Sequence, residues 1–162
     1  MRDWFREGFY GGAAVALVLG IWLAWLWGPE HQVRLHSEHL LRALEQKSWG
    51  KFETFIAADY HDQWEQDHDL VLERSTTVFA YTYSLRLEPG PATIAMANGS
   101  GTWQARISVQ PGQTELGTLI AERVNGLTTP FTLEWHKQSG KPWDWKLVRV
   151  SNEGLQLPSG FD

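Results

Sequence analysis

The chain has 162 residues, a net charge of −5 and no cysteine, which excludes disulfides, thiolate metal sites and cysteine nucleophiles together. Arg2 and Arg6 offset Asp3 and Glu7, so the negative charge falls on residues 29–162, a stretch of 134 residues that suits one domain with one core. An acidic domain without clustered Lys and Arg is a poor match for a phosphate backbone, so nucleic acid is not an expected partner.

The first element is Gly8 to Trp27, GFYGGAAVALVLGIWLAWLW, twenty residues without a charge. As a helix it would be about 30 Å long, the thickness of a bilayer's hydrocarbon core. Trp4, Phe5, Phe9 and Tyr10 stand at one end and Trp22, Trp25 and Trp27 at the other, as in the aromatic belts of spanning helices. A cleaved signal peptide would have a shorter apolar run and a small-x-small cleavage site, and neither is present. The reading is a short tail over 1–7 and a single-pass transmembrane anchor over 8–28, with lipid as a partner. The N-terminus is expected inside and the domain outside, because long domains cross behind an N-terminal anchor largely regardless of charge. Gly8, Gly12, Ala16, Gly20 and Ala24 place a small residue at every fourth position, a face on which a second helix can approach closely. Association with itself or with another membrane or envelope protein is the expectation.

Gly28-Pro29 ends or kinks that helix, and Pro29 and Glu30 suit the first turn of a new one. Val33, Leu40, Leu41 and Leu44 share one side of a helix over about 30–47. Ser48 is a candidate N-cap for a short second helix carrying Trp49, Phe52, Phe55 and Ile56, and a third helix begins near Asp67 or Asp69 and buries Val71, Leu72, Val78 and Phe79. From Tyr81 the period changes to two, through Tyr81, Tyr83, Leu85 and Leu87, then Trp103, Ala105, Ile107 and Val109, then Phe131, Leu133 and Trp135, then Trp143, Trp145 and Leu147. Pro89-Gly90-Pro91, Asn98-Gly99, Pro111-Gly112, Asn125-Gly126 and Ser139-Gly140 mark turns that delimit about six strands. Three helices and then these strands argue an α+β domain over 29–151, with the helices on one face of a curved, mainly antiparallel sheet, and a coil tail over 152–162.

The run from Arg42 to Phe52 (RALEQKSWGKF), the subsequent Phe55-Ile56-Ala57-Ala58-Asp59-Tyr60, and the closing stretches Pro130 to Trp135 and Trp143 to Val148 resemble the nuclear transport factor 2-like superfamily, the cystatin-like α+β cone that includes SnoaL-like and ketosteroid-isomerase-like proteins. The resemblance covers about 34–151 and implies a cavity between sheet and helices. In isomerase-like members a base aspartate comes several residues after the Ala-Asp pair. That place falls here at Trp64, with Glu65 beside it, and the oxyanion-binding tyrosine falls near Leu40. Neither side chain can take a proton or hold a developing negative charge, so catalysis of that type is not expected unless Glu65 turns inward. Bacterial type IV secretion systems use a subunit of this superfamily behind an N-terminal helix, which implies a non-enzymatic assembly role at a membrane. The alternative is a domain that binds an apolar ligand in the cavity, or a SnoaL-like enzyme.

Other groupings carry less. His61, Asp62, Glu65, Asp67, His68 and Asp69 crowd one loop, but their spacing matches no metal motif and a solvated loop is expected; no metal or other cofactor is implied. His36 and His39 read as surface histidines, and His136 with Ser139 has no supporting nucleophile motif. Asn98-Gly99-Ser100 reads as a hairpin turn before a glycosylation acceptor. The aromatic stripe is mainly core, with Trp64, Tyr81, Tyr83, Trp103 and Trp135 the candidates to line a pocket.

Overall fold

In a computed structural model that describes residues 2–82 and 85–156, with side chains from residue 12 onward, Gly28 interrupts one long N-terminal helix. Helix α1 spans Arg2–Leu26 and helix α2 spans Pro29–Glu45, and the axes of Gly12–Leu26 and Pro29–Glu45 meet at 57°. Pro29 is the cause: it forces Gly28 to φ −56° and ψ 136°, out of the helical region, and itself opens α2. The corner is stitched rather than loose. Gln32 Nε2 donates to Leu26 O at 2.9 Å, and the Trp25 and His31 rings lie 4.6 Å apart.

Among the described residues no single helix is long and apolar enough to cross a membrane, although the bent pair meets that criterion together. The expected single spanning helix is thus not met by its described part. What the structure does show is that Val15, Leu17, Val18, Ile21, Trp22 and Trp25 of α1 are each more than half exposed.

Helix α2 buries Gln32, Val33, Ser37, Leu40, Leu41 and Ala43. Lys47, at φ 52°, turns the chain into helix α3, Trp49–Phe55, which buries Phe52. Ser48 occupies the N-cap as expected, though its hydroxyl caps nothing. Helix α4, His68–Ala80, starts at Asp67, whose carboxylate accepts the Leu70 N–H at 2.9 Å.

Among the described residues six strands complete the domain: β1 Arg86–Pro89, β2 Thr93–Ala97, β3 Ser100–Ala105, β4 Ile107–Gln110, β5 Phe131–Lys137 and β6 Trp145–Ser151. They form an antiparallel four-stranded sheet in the order β2-β3-β5-β6 and a separate β1-β4 pair. Asn98 and Gly99, both at positive φ (34° and 82°), make the β2-β3 hairpin turn. Helices α2 and α3 cover one face of the larger sheet, where Trp103, Leu133, Trp135, Trp145 and Leu147 meet Val33, Leu40, Phe52 and Ile56.

The single curved sheet expected is thus two sheets, and three further expectations need correction. The segment between Pro111-Gly112 and Asn125-Gly126, counted among the strands, is helix α5, Glu115–Asn125; Thr114 Oγ1 caps it by accepting from Gly117 N at 3.1 Å. The strand count survives because the run through Trp103 and Val109 is broken at Arg106 into β3 and β4, with Leu85, Val109 and Ala121 forming a small second core under α5. The strand expected from Tyr81 begins only at Arg86: α4 runs on to Ala80, and Tyr81 closes it, 68% exposed. Trp143 likewise precedes its strand and is exposed.

Candidate functional site

A cavity of about 720 Å³ lies between the larger sheet and the helices. Its walls are Leu40 and Leu44 of α2, Phe52 of α3, Val71, Val78 and Phe79 of α4, and Phe131, Leu147 and Val150 of the sheet. No residue of α4 is fully buried: Val71, Leu72 and Phe79 pack partly against the cores, and Val71, Val78 and Phe79 border this space.

The floor is the segment between α3 and α4, which runs beside β6. Ala57 N donates to Leu147 O at 2.9 Å and His61 N to Val148 O at 3.0 Å, so the segment occupies the free edge of that strand. The chain then curls round one carboxylate. Asp62 Oδ1 accepts from Trp64 N at 2.8 Å and from Gln66 N at 2.9 Å, while Asp62 N returns to Gln66 O at 3.1 Å. Glu65 takes φ 62° at the tip of this loop. Asp62 Oδ2 accepts from the Tyr60 hydroxyl at 3.3 Å, and both residues are buried. Burial first, then the neighbouring Asp62 charge, drives the Tyr60 phenol far above its ordinary range, so it stays protonated and donating.

The far rim is the C-terminal segment. Trp64 Nε1 donates to Leu155 O at 3.0 Å, Gln63 Nε2 to Asn152 O at 2.7 Å, and Asn152 N to Gln63 Oε1 at 3.0 Å. Asn152 is 2% exposed, and its amide also ties Thr129, Gly154 and Leu155. Asn152–Leu155 is thus coil, as expected, but it belongs to the domain and walls the cavity.

Of the five side chains expected to line a pocket, Trp64 does. Trp103 and Trp135 are 1% and 0% exposed and belong to the core, since α2 sits directly on them. Tyr81 points to solvent, and Tyr83 lies outside the described residues. Leu40 and Trp64, the positions that the resemblance matched to an isomerase tyrosine and base, both face the cavity, whereas Glu65 is exposed. Gly12, Ala16, Gly20 and Ala24 are exposed on α1; Gly8 lies where only the backbone is described.

Sequence reasoning misses Tyr60, Asp62 and Gln66, which form the polar corner of the cavity. Asp62, expected in a solvated loop, is in fact 4% exposed. The available signal is an Asp with backbone N–H groups two and four residues further on that it could accept from. Among the described residues no group of three His, Asp or Glu side chains could hold a metal ion.

No family model matches the sequence, and no curated protein is significantly similar to it. Solved structures do match, and several of them are named as NTF2-like or cystatin-like proteins. An NTF2-like protein of unknown function from Pseudomonas putida superposes with a TM-score of 0.58 at 14% identity, covering 75% of this chain and 82% of that one. A candidate ketosteroid isomerase from Shewanella frigidimarina gives 0.55 at 15% identity over 78% and 98%. The Bd1075 protein of Bdellovibrio bacteriovorus gives 0.58 at 10% identity over 74% of this chain, which spans 38% of that protein's length. At these identities the likeness is one of fold.

Proposed function

We propose that this nuclear transport factor 2-like domain binds a small, mainly apolar molecule in its cavity and is held at a membrane by α1. The open, apolar-walled space of about 720 Å³ carries the first half. Its size falls within the range of small-molecule pockets, and its walls offer burial worth about 25 cal/mol per Å² of apolar ligand surface. A domain built only for assembly would be expected to fill that space with side chains. The reading is non-catalytic: Leu40 and Trp64 carry no acid or base, Glu65 and the cavity-rim Glu73 are exposed, and Tyr60 and Asp62 are engaged with each other and with the backbone.

The exposed apolar surface of α1 supports the second half. A helix carrying Val15, Leu17, Val18, Ile21 and Trp22 outward needs lipid or another helix around it. In this reading the N-terminus is inside and the domain outside. Assembly remains the second reading, through α1 and not the cone: a Cβ added at Gly12 or Gly20 would meet nothing within 4 Å, so the small-residue face is free for a partner helix.

The test is to purify the full chain from membranes in mild detergent and identify small molecules extracted from it by mass spectrometry, beside Val71→Trp, which fills the cavity. An apolar compound present with the wild type and absent from the variant is expected. Equal recovery from both would overturn the cavity reading, and release of the intact chain by carbonate washing would overturn the tether.

A further inference from the structure

Within the cavity's polar corner the three polar side chains differ in what they have left to offer. Asp62 already accepts from two backbone N–H groups and from Tyr60. The Tyr60 hydroxyl donates to Asp62 and also interacts with the Val150 backbone. Gln66 is different. Its backbone N–H and C=O close the loop onto Asp62, while its side-chain amide has no hydrogen-bond partner among the described residues. The residue is only 6% exposed, and no fully enclosed side-chain polar atom of the described residues lacks a partner. The amide must therefore open onto accessible space, and the space that Gln66 borders is the cavity. The two donors and the carbonyl acceptor of this amide are free to exchange water for a ligand group that matches them.

We propose, resting on the cavity reading, that Gln66 is the group that recognises the ligand's polar end, and that this end is neutral and both donates and accepts, as a hydroxyl does. Glu73 and Arg74 of α4 also line the space, but their charges are opposite and offset each other, so the buried Asp62 beside Gln66 sets the selection. A ligand carboxylate would enter beside the Asp62 carboxylate, where like charges repel in a poorly solvated corner. An ammonium would be attracted by the Asp62 carboxylate, but that group is buried and already takes three hydrogen bonds, so the three N–H donors could not all be matched once their water is lost. A hydroxyl gives its hydrogen to Oε1 and takes one from Nε2 or from water at the mouth. Its apolar body then runs along Val71, Phe79 and Leu147.

The experiment uses the full chain in lipid nanodiscs and three alkyl diazirine photoprobes of equal length, ending in a hydroxyl, a carboxylate or an ammonium. Labelled peptides are mapped by mass spectrometry, and labelling of α1 reports the amount of each probe delivered through lipid. The hydroxyl probe is expected to label the α4 and β6 peptides about fivefold more than either charged probe, the ratio that one net hydrogen bond supplies. Gln66→Leu and Gln66→Met should bring that preference to near unity while total cavity labelling persists. The Met variant, close to Gln in length, guards against a packing defect. Equal labelling by all three probes, a preference that survives both variants, or strongest labelling by the ammonium probe each overturn the role of Gln66 while leaving the cavity reading intact. Labelling confined to α1 overturns both.

Discussion

The Trp135 indole N–H donates to Ser37 Oγ at 2.9 Å, at a point where both residues are 0% exposed. Ser37 passes its own hydrogen to Val33 O one helical turn back, at 2.9 Å, so a single hydroxyl joins β5 to α2 through the middle of the core. Ser37→Ala leaves the indole without a partner and should lower stability by about 1–3 kcal/mol. Thermal unfolding of the full chain in mild detergent measures this; an unchanged Tm would show that Trp135 does not depend on Ser37.

Gly101 of β3 lies directly beneath α2. A Cβ there would fall 2.7 Å from Val33 Cγ2 and 2.9 Å from Met96 Sδ, and Val33 is fully buried with no room to retreat. Gly101→Ala should therefore cost roughly 1–3 kcal/mol by overpacking. The same substitution at Gly140, where a Cβ meets nothing within 4 Å, serves as the neutral control in the same unfolding assay.

The loop from Asp62 to Gln66 depends on one carboxylate oxygen. Asp62→Ala strands the N–H groups of Trp64 and Gln66 and should destabilise by at least about 2 kcal/mol, whereas Asp62→Asn keeps an acceptor at Oδ1 and should cost less. Amide hydrogen exchange at Trp64 and Gln66 is the direct readout. Protection that survives in Asp62→Ala would mean the loop is held from elsewhere.

His36 gives a pH prediction. Its ring packs edge-on with Phe55 and Trp135, which also touch each other, with Nδ1 2.8 Å from Gln32 O and Nε2 3.1 Å from Trp143 O. Two carbonyl acceptors favour the doubly protonated ring, but burial outweighs them, and with His39 and Lys146 nearby the folded pKa lies below 6.5. On acidification the unfolded chain takes the proton first. The stability linked to this histidine is thus complete above pH 6.5 and lost as pH falls from there through the folded value. Wild type minus His36→Leu, in stability measured across that window, should decline toward acid; a flat difference would assign the slope to other groups.

On α1, Gly12→Leu with Ala16→Leu adds bulk to an exposed face, where a Cβ at Gly12 meets nothing within 4 Å among the described residues. Unfolding of the domain should be unaffected, while self-association in a membrane reporter assay should fall severalfold, as expected when a close helix contact is blocked. Undiminished association would place any partner on another face of α1.

Locally coded features are legible in the sequence. Asp67 begins α4 and Asn98-Gly99 turns a hairpin because each acts on residues within one turn of itself. Helix α5 has its own signal in Thr114 and Glu115, but Thr118, Ile120 and Val124 also suit a strand, and flanking glycines obscure the period. The cavity is not legible in detail. Alternation identifies the inward side of β3 and β5, yet whether an inward residue meets a helix, as Trp103 and Trp135 do, or empty space, as Phe131 does, depends on where α2 and α4 come to rest. His36 reads as a surface residue for the same reason: Phe55 and Trp135 reach it only in the fold. Asp62 does not stand out among its acidic neighbours in the sequence, since what separates it from them is the backbone wrapped around it.

The stitched corner between Leu26 and Gln32 has a geometric result. Where the Gln32–Leu26 hydrogen bond and the Trp25–His31 contact hold, the angular phase of the first helix sets the bearing of the cone. One residue inserted near Gly20 would swing the cavity mouth by about 100° around the α1 axis, and a second would nearly reverse it. Helix register in the N-terminal segment thereby acts as an azimuth control for the domain it carries.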